Sequence, residues 1–92
     1  MYSIEISSAA LEDLKKIQKS GNKKVIDKVN QLILEIALNP REGTGKPEML
    51  KNLVGEVWSR RINQKDRLVY EIFETSEHSV VVLQMLGHYK DK

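Results

Sequence analysis

Apolar and polar residues alternate in Tyr-Ser-Ile-Glu-Ile at positions 2–6, the period of a half-buried strand. A helical period follows. Ala10, Leu11, Leu14 and Ile17 recur at the spacing of one helix face. Ser7 or Ser8 stands where a side-chain oxygen accepts from the unpaired N–H groups of a helix start. The pattern stops at Lys-Ser-Gly-Asn-Lys, 19–23, where Gly21 suits a left-handed helix end. Val25, Ile26, Val29, Leu32, Ile33 and Ile36 make the stripe of a second helix, and Asn39-Pro40 ends it. The connection is short enough to force a helical hairpin. Two such helices bury little alone and need a partner surface.

The C-terminal half supplies it. Glu-Val-Trp-Ser-Arg-Arg-Ile (56–62), Arg-Leu-Val-Tyr-Glu-Ile-Phe-Glu (67–74) and Ser-Val-Val-Val-Leu-Gln-Met-Leu (79–86) read as three strands. Their short polar connections predict an antiparallel meander, and the N-terminal strand is expected to join the same sheet. The order predicts an α+β fold: an N-terminal strand, a two-helix hairpin, a long loop, then a three-stranded antiparallel meander, forming one sheet with the helices on one face. No repeat or linker interrupts it, so residues 1–92 are expected to form a single domain.

Alternation along the strands sorts the side chains. Trp58 and Ile62, with Leu68, Tyr70 and Ile72, should face the helices. Arg61 and Arg67 should then point together from the other face, provided 61 pairs with 67. Arg60 falls on the helix side, where a guanidinium is out of place; a rim position or a bulge that resets the alternation are the two ways out. Before the meander runs Gly-Thr-Gly-Lys-Pro-Glu-Met-Leu-Lys (43–51), a loop dense in special residues. Loops of this kind tend to carry function.

Composition narrows the choices. The chain has 92 residues, 40% apolar and 30% charged, with no cysteine and two histidines. A disulfide framework, thiolate chemistry and a cysteine-based zinc site are excluded. No apolar run approaches the roughly 20 residues needed to span a bilayer. The N-terminus lacks a basic start followed by an apolar stretch, so no secretory signal is expected, and the protein is read as soluble and cytoplasmic. From Arg41 to Tyr70 there are seven Lys or Arg against four acids, a placement that suits an anionic partner or an ordinary solvated surface.

On this arrangement Arg61 and Arg67 share the face beside which the loop ends, bringing Lys46, Glu48 and Lys51. His88 and Tyr89 follow the last strand. One chemistry such a set serves is cleavage of an RNA phosphodiester by its own 2′-OH. That reaction needs a base, an acid and cations around the phosphorane. A carboxylate, an imidazole and guanidinium groups fill those roles, and the protein need supply no nucleophile. Each residue also has an ordinary reading. Glu48 can be a solvated loop acid and His88 an exposed histidine. Arg61 and Arg67 can be surface ion-pair residues, and Tyr89 can pack at a sheet edge. Gly43 and Gly45 fit backbone turns.

Taken in order, Gly-Lys-Pro-Glu-Met-Leu-Lys (45–51), Trp-Ser-Arg-Arg-Ile (58–62), Asp-Arg-Leu-Val-Tyr (66–70) and Gly-His-Tyr (87–89) closely resemble the YoeB/Txe branch of the RelE-type toxins of bacterial type II toxin–antitoxin systems. The resemblance covers nearly the whole chain. It implies a metal-independent endoribonuclease without cofactor, cleaving mRNA on the ribosome through a 2′,3′-cyclic phosphate and so inhibiting translation. It implies Glu48 as base and His88 as acid, Arg67 and Tyr89 as further catalytic residues, and Lys46, Lys51 and Arg61 as phosphate contacts. The implied partners are a cognate antitoxin of the YefM/Axe kind, mRNA on the ribosome and a second copy in a homodimer. Operon DNA would be reached only through the antitoxin, and no membrane is implied. Lys90-Asp91-Lys92 departs from relatives that often stop at His-Tyr. Two alternatives stand beside this: a ParE-like toxin that binds gyrase without cleaving RNA, and an inactive RNA-binding homologue.

Overall fold

The structure, a computed structural model, describes residues 1–75 and 77–87. Its elements run β1 (Ser3–Ile6), α1 (Ser8–Ser20), α2 (Lys23–Leu38), β2 (Glu48–Met49), β3 (Glu56–Arg61), β4 (Arg67–Phe73) and β5 (Ser79–Gln84). The helices begin and end where their sequence signals stand. The Ser7 hydroxyl accepts from the Ala10 N–H at 3.2 Å, and Asn22 accepts from the Val25 N–H at 3.3 Å. Gly21 closes α1 at φ 72°, in the left-handed region that costs a residue without Cβ nothing.

All strands form one sheet in the order β1-β5-β4-β3-β2. The meander β3-β4-β5 is antiparallel, and β1 lies parallel to β5 at the edge. A parallel neighbour needs a long crossover, which the helical hairpin and meander together provide. Ala10, Ile17, Val29, Leu32 and Ile36 from the helices pack against Leu68, Tyr70, Ile72, Val80 and Val82 from the sheet. Each fully buried aliphatic side chain of this kind contributes about 1.5–3 kcal/mol. The α+β arrangement with helices on one face is therefore the observed one.

Two details differ from expectation. The sheet gains a fifth strand: β2, two exposed residues of the long loop, pairs with the outer side of β3. The face away from the helices is also less open than alternation alone suggests. Val57, Ser59 and Val69 on that face are buried, because they lie on interior strands shielded from both sides. Among the described residues, no helix is long and apolar enough to cross a membrane.

Candidate active site

The register of the sheet decides which charged groups meet. In β2 and β3, Glu48 stands opposite Ser59 and Met49 opposite Trp58. Backbone bonds extend that pairing at both ends: the Arg61 N–H donates to the Gly45 carbonyl at 2.7 Å, and the Leu50 N–H to the Val57 carbonyl at 2.8 Å. Arg61 in turn pairs with Arg67 across β3 and β4. Residues opposite one another share a face, as do residues two apart. Glu48, Ser59, Arg61 and Arg67 therefore lie on one face at one corner of the sheet, as the alternation predicted for the two arginines. Lys46 precedes Glu48 with a left-handed backbone, φ 52°, and Lys51 is exposed just past β2. His88 and Tyr89 lie outside the described residues. The last described residue before them, Gly87, accepts from the Arg67 N–H at 3.1 Å through its carbonyl. Ser59 was not singled out from the sequence. Its buried hydroxyl has no hydrogen-bond partner among the described residues.

The loop that delivers Glu48 is shaped by a residue the alternation left unplaced. Arg60 is neither at the rim nor on a bulge. Pairing of β3 with β4 is unbroken from Glu56–Ile72 to Arg61–Arg67, and the one register shift lies on the β5 side of β4. Arg60 is 0% exposed, and all five of its N–H donors are used. Nε donates to the Tyr70 hydroxyl at 3.0 Å. One terminal nitrogen donates to the Glu35 carboxylate at 3.2 Å and the Thr44 carbonyl at 3.3 Å. The other donates to the carbonyls of Asn39 at 2.9 Å and Glu42 at 2.7 Å. The Tyr70 hydroxyl in turn donates to the Pro40 carbonyl at 2.6 Å. A buried charge is tolerable only when paired and bonded to this degree.

Glu35, on α2, completes the anchor. Its carboxylate accepts from the Thr44 N–H at 2.7 Å and the Thr44 hydroxyl at 2.8 Å. Those two bonds, followed by one from Gln31 and by the charge of Arg60, hold its pKa at about 2, against the opposing effect of burial. Gly43 is obligatory here: a Cβ would come within 2.7 Å of both the Glu35 carboxylate and the Arg60 guanidinium. Gly45 has φ 87°, and a Cβ there would meet the Arg61 carbonyl at 2.9 Å. The two glycines thus serve the loop's packing on β3, as a turn reading of them required. Among the described residues no group of three His, Cys, Asp or Glu is placed to hold a metal ion.

This fold is shared by small bacterial toxins. The family model for the YoeB-like toxin of bacterial type II toxin–antitoxin systems matches residues 6–89, and the chain belongs to that family. The YoeB toxin of Streptomyces coelicolor is 41% identical over 69 residues, 75% of this chain and 79% of that one. The YoeB dimer from Staphylococcus aureus superposes with a TM-score of 0.80 at 40% identity, covering 96% of this chain and 98% of that one. The toxin chain of the YoeB–YefM complex from the same organism does so at 0.77 and 41%, covering 97% and 99%.

Arg60→Ala removes five hydrogen bonds at once: one to the Glu35 carboxylate, three to backbone carbonyls and one to the Tyr70 phenol. It should cost about 3 kcal/mol or more in urea unfolding, and a loss below about 1 kcal/mol would mean the anchor is dispensable. Glu35 gives a pH test. Its folded pKa of about 2 lies below the ordinary 4.5, so the ionised form favours the folded state. That contribution is whole above about 4.5 and disappears as pH falls through about 2. Glu35→Gln should therefore lose less stability than the parent across this interval in thermal melts. Parallel losses in the two proteins would rule the linkage out.

Proposed function

We propose that the chain, residues 1–92 acting as one toxin domain, is a metal-independent endoribonuclease that cleaves mRNA on the ribosome in the cytoplasm and so stops translation. The observation that supports this is the register at the sheet corner: Glu48 opposite Ser59, and Arg61 opposite Arg67, on one face. Glu48 takes the proton of a ribose 2′-OH. The 2′-oxygen bonds to phosphorus, the bond from phosphorus to the 5′-oxygen breaks, and His88 gives that oxygen its proton. The products are a 2′,3′-cyclic phosphate and a 5′-hydroxyl, with no water consumed in the step. Arg61 and Arg67, with Lys46 and Lys51 nearby, meet the charge that grows on the phosphorane, for which a guanidinium fork is well shaped. Tyr89 orients the substrate or stacks on a base. A gyrase-binding protein on this fold has no use for such a set.

The same reading assigns the partners. The YefM bound to the related toxin of Staphylococcus aureus supports a cognate antitoxin of that kind, through which alone the toxin would reach operon DNA. The dimer of that toxin supports a homodimer here. An antitoxin segment with acidic side chains fits the basic corner.

Glu48→Gln keeps the shape of the base and removes its proton affinity. Cleavage and toxicity should vanish while the melting curve stays within about 0.5 kcal/mol, as for an exposed substitution. A toxic, cleaving variant would remove Glu48 from the mechanism. Two truncations address the acid. A chain ending at Tyr89 should cleave at the full rate. One ending at Gly87 should fold, bind antitoxin and lose roughly 10²–10⁴ in single-turnover rate, the usual worth of a general acid. Full activity of the shorter chain would transfer the role from His88 to another group.

A further inference from the structure

β5 ends at Gln84, yet the three residues that follow are held as firmly as if the sheet continued. Three successive amides are each taken by a carboxylate from elsewhere in the chain. Asp13, on α1, accepts from the Met85 N–H at 3.0 Å and the Leu86 N–H at 3.3 Å through one oxygen. Asp66, at the end of the turn between β3 and β4, accepts from the Gly87 N–H at 2.9 Å. The next residue, Arg67, donates its own N–H to the Gly87 carbonyl at 3.1 Å. Residues 66 and 67 thus grip Gly87 at its N–H and its C=O.

The Asp66 carboxylate is not needed to close the turn. The backbone bond from the Ile62 N–H to the Asp66 carbonyl at 2.9 Å does that. It is nevertheless only 8% exposed, and its second oxygen is steadied by the Asn63 amide at 3.3 Å. Burying a carboxylate is unfavourable unless hydrogen bonds compensate it, and here they fix the point where the chain leaves the sheet beside Arg67.

We propose that Asp66, backed by Asp13, is a positioning residue: it holds the Gly87 peptide beside Arg67, and the rate of the step assigned above to His88 depends on that hold. The proposal rests on the reading of His88 as the acid. Asp66 touches no substrate and acts through the peptide of Gly87. Displacing a catalytic group by about 1 Å costs on the order of 10²-fold in rate.

The test is single-turnover cleavage of mRNA on programmed ribosomes, with purified full-length toxin, the Gly87-ended chain, and Asp66 variants of both. In the full-length protein Asp66→Ala should lower the saturating rate by roughly 10–100-fold, while the half-saturating ribosome concentration moves less than about threefold, as expected when only transition-state contacts change. Asp66→Asn keeps an oxygen for the Gly87 N–H and should return the rate to within about threefold of the parent. In the Gly87-ended chain Asp66→Ala should cost nothing more, because the group it positions is gone. Asp13→Ala, a change that favours its helix, should repeat the pattern and carries the test if Asp66→Ala does not fold. A full-length Asp66→Ala or Asp13→Ala protein as fast as the parent, or an equal loss in both chain lengths, overturns the proposal. A fast Gly87-ended parent chain overturns the acid assignment instead, and the positioning role with it.

Discussion

Everything at the corner of the sheet is arranged around one guanidinium that ought not to be where it is. Arg60 points toward the helices, in a layer of aliphatic side chains, and shows no surface to solvent. A charge in such a place is unfavourable by several kcal/mol before its partners are counted. The partners are the end of α2 and the turn after it. Asn39 at the helix cap and Glu42 and Thr44 in the turn after it present backbone carbonyls, and Arg60 has five N–H groups to place. Each side solves the other's deficit. The turn then delivers Gly45 to the edge of β3, where its carbonyl meets the Arg61 N–H, and pairing from there sets Glu48 opposite Ser59. Consecutive arginines on a strand face opposite ways: Arg60 builds the loop that brings Glu48 to the face on which Arg61 is exposed.

That face is built against its own comfort. Like charges directly opposite each other weaken a sheet, and Arg61 and Arg67 are so placed. On the reading proposed above, an anion bridging the two guanidinium groups would be attracted by both. The apolar core does nothing to position the groups around it. β2 consists of two exposed residues and buries too little apolar surface to be fixed by it, while after β5 the buried Met85 still belongs to the core but Gly87 has no side chain to pack. Polar bonds take over at both ends: Arg60 and Glu35 at the loop, Asp13 and Asp66 at Gly87.

This division explains what could be read from the sequence. Ser7, Gly21 and Asn39-Pro40 marked the helix limits because caps and breaks are local signals. Alternation put Arg61 and Arg67 on one face only on condition that 61 pairs with 67, and the register of the turn, which supplies that pairing, is not encoded by alternation. Glu48, Arg61 and Arg67 were grouped through the expected shared face and through the resemblance they carry. The anchors were not. Asp13 reaches Leu86 across 73 residues and Arg60 reaches Glu35 across 25, and no period or spacing encodes such contacts. Arg60 did leave a trace, as the one residue out of phase with its strand, but phase alone does not say whether such a residue escapes to the rim or is buried with partners. β2 was hidden for the opposite reason: two exposed residues beside a proline carry no strand pattern.

The loop has a second attachment, and the two differ in kind. Arg41 donates to the Glu56 carboxylate at 2.7 and 2.8 Å and to Glu74 at 3.0 Å, while Glu56 also accepts from the Trp58 indole at 2.9 Å. Glu56 opens β3 and Arg60 lies near its end, so the segment from Arg41 to Thr44 is pinned along the strand at two points. Arg41 lowers the pKa of Glu56 more than any other group does, yet all three side chains of that network are about a third exposed. Salt and competing water weaken pairs of that kind. In the inner attachment the Arg60 guanidinium shows no surface to solvent, although its partner Glu35 is 28% exposed. That attachment also rests on backbone carbonyls rather than on a carboxylate alone, and it lies nearer Gly45 and the start of β2 pairing. A group that must act at a fixed point has to be held to a fraction of an ångström, and the position of Glu48 is referred to the attachment whose central guanidinium is wholly buried.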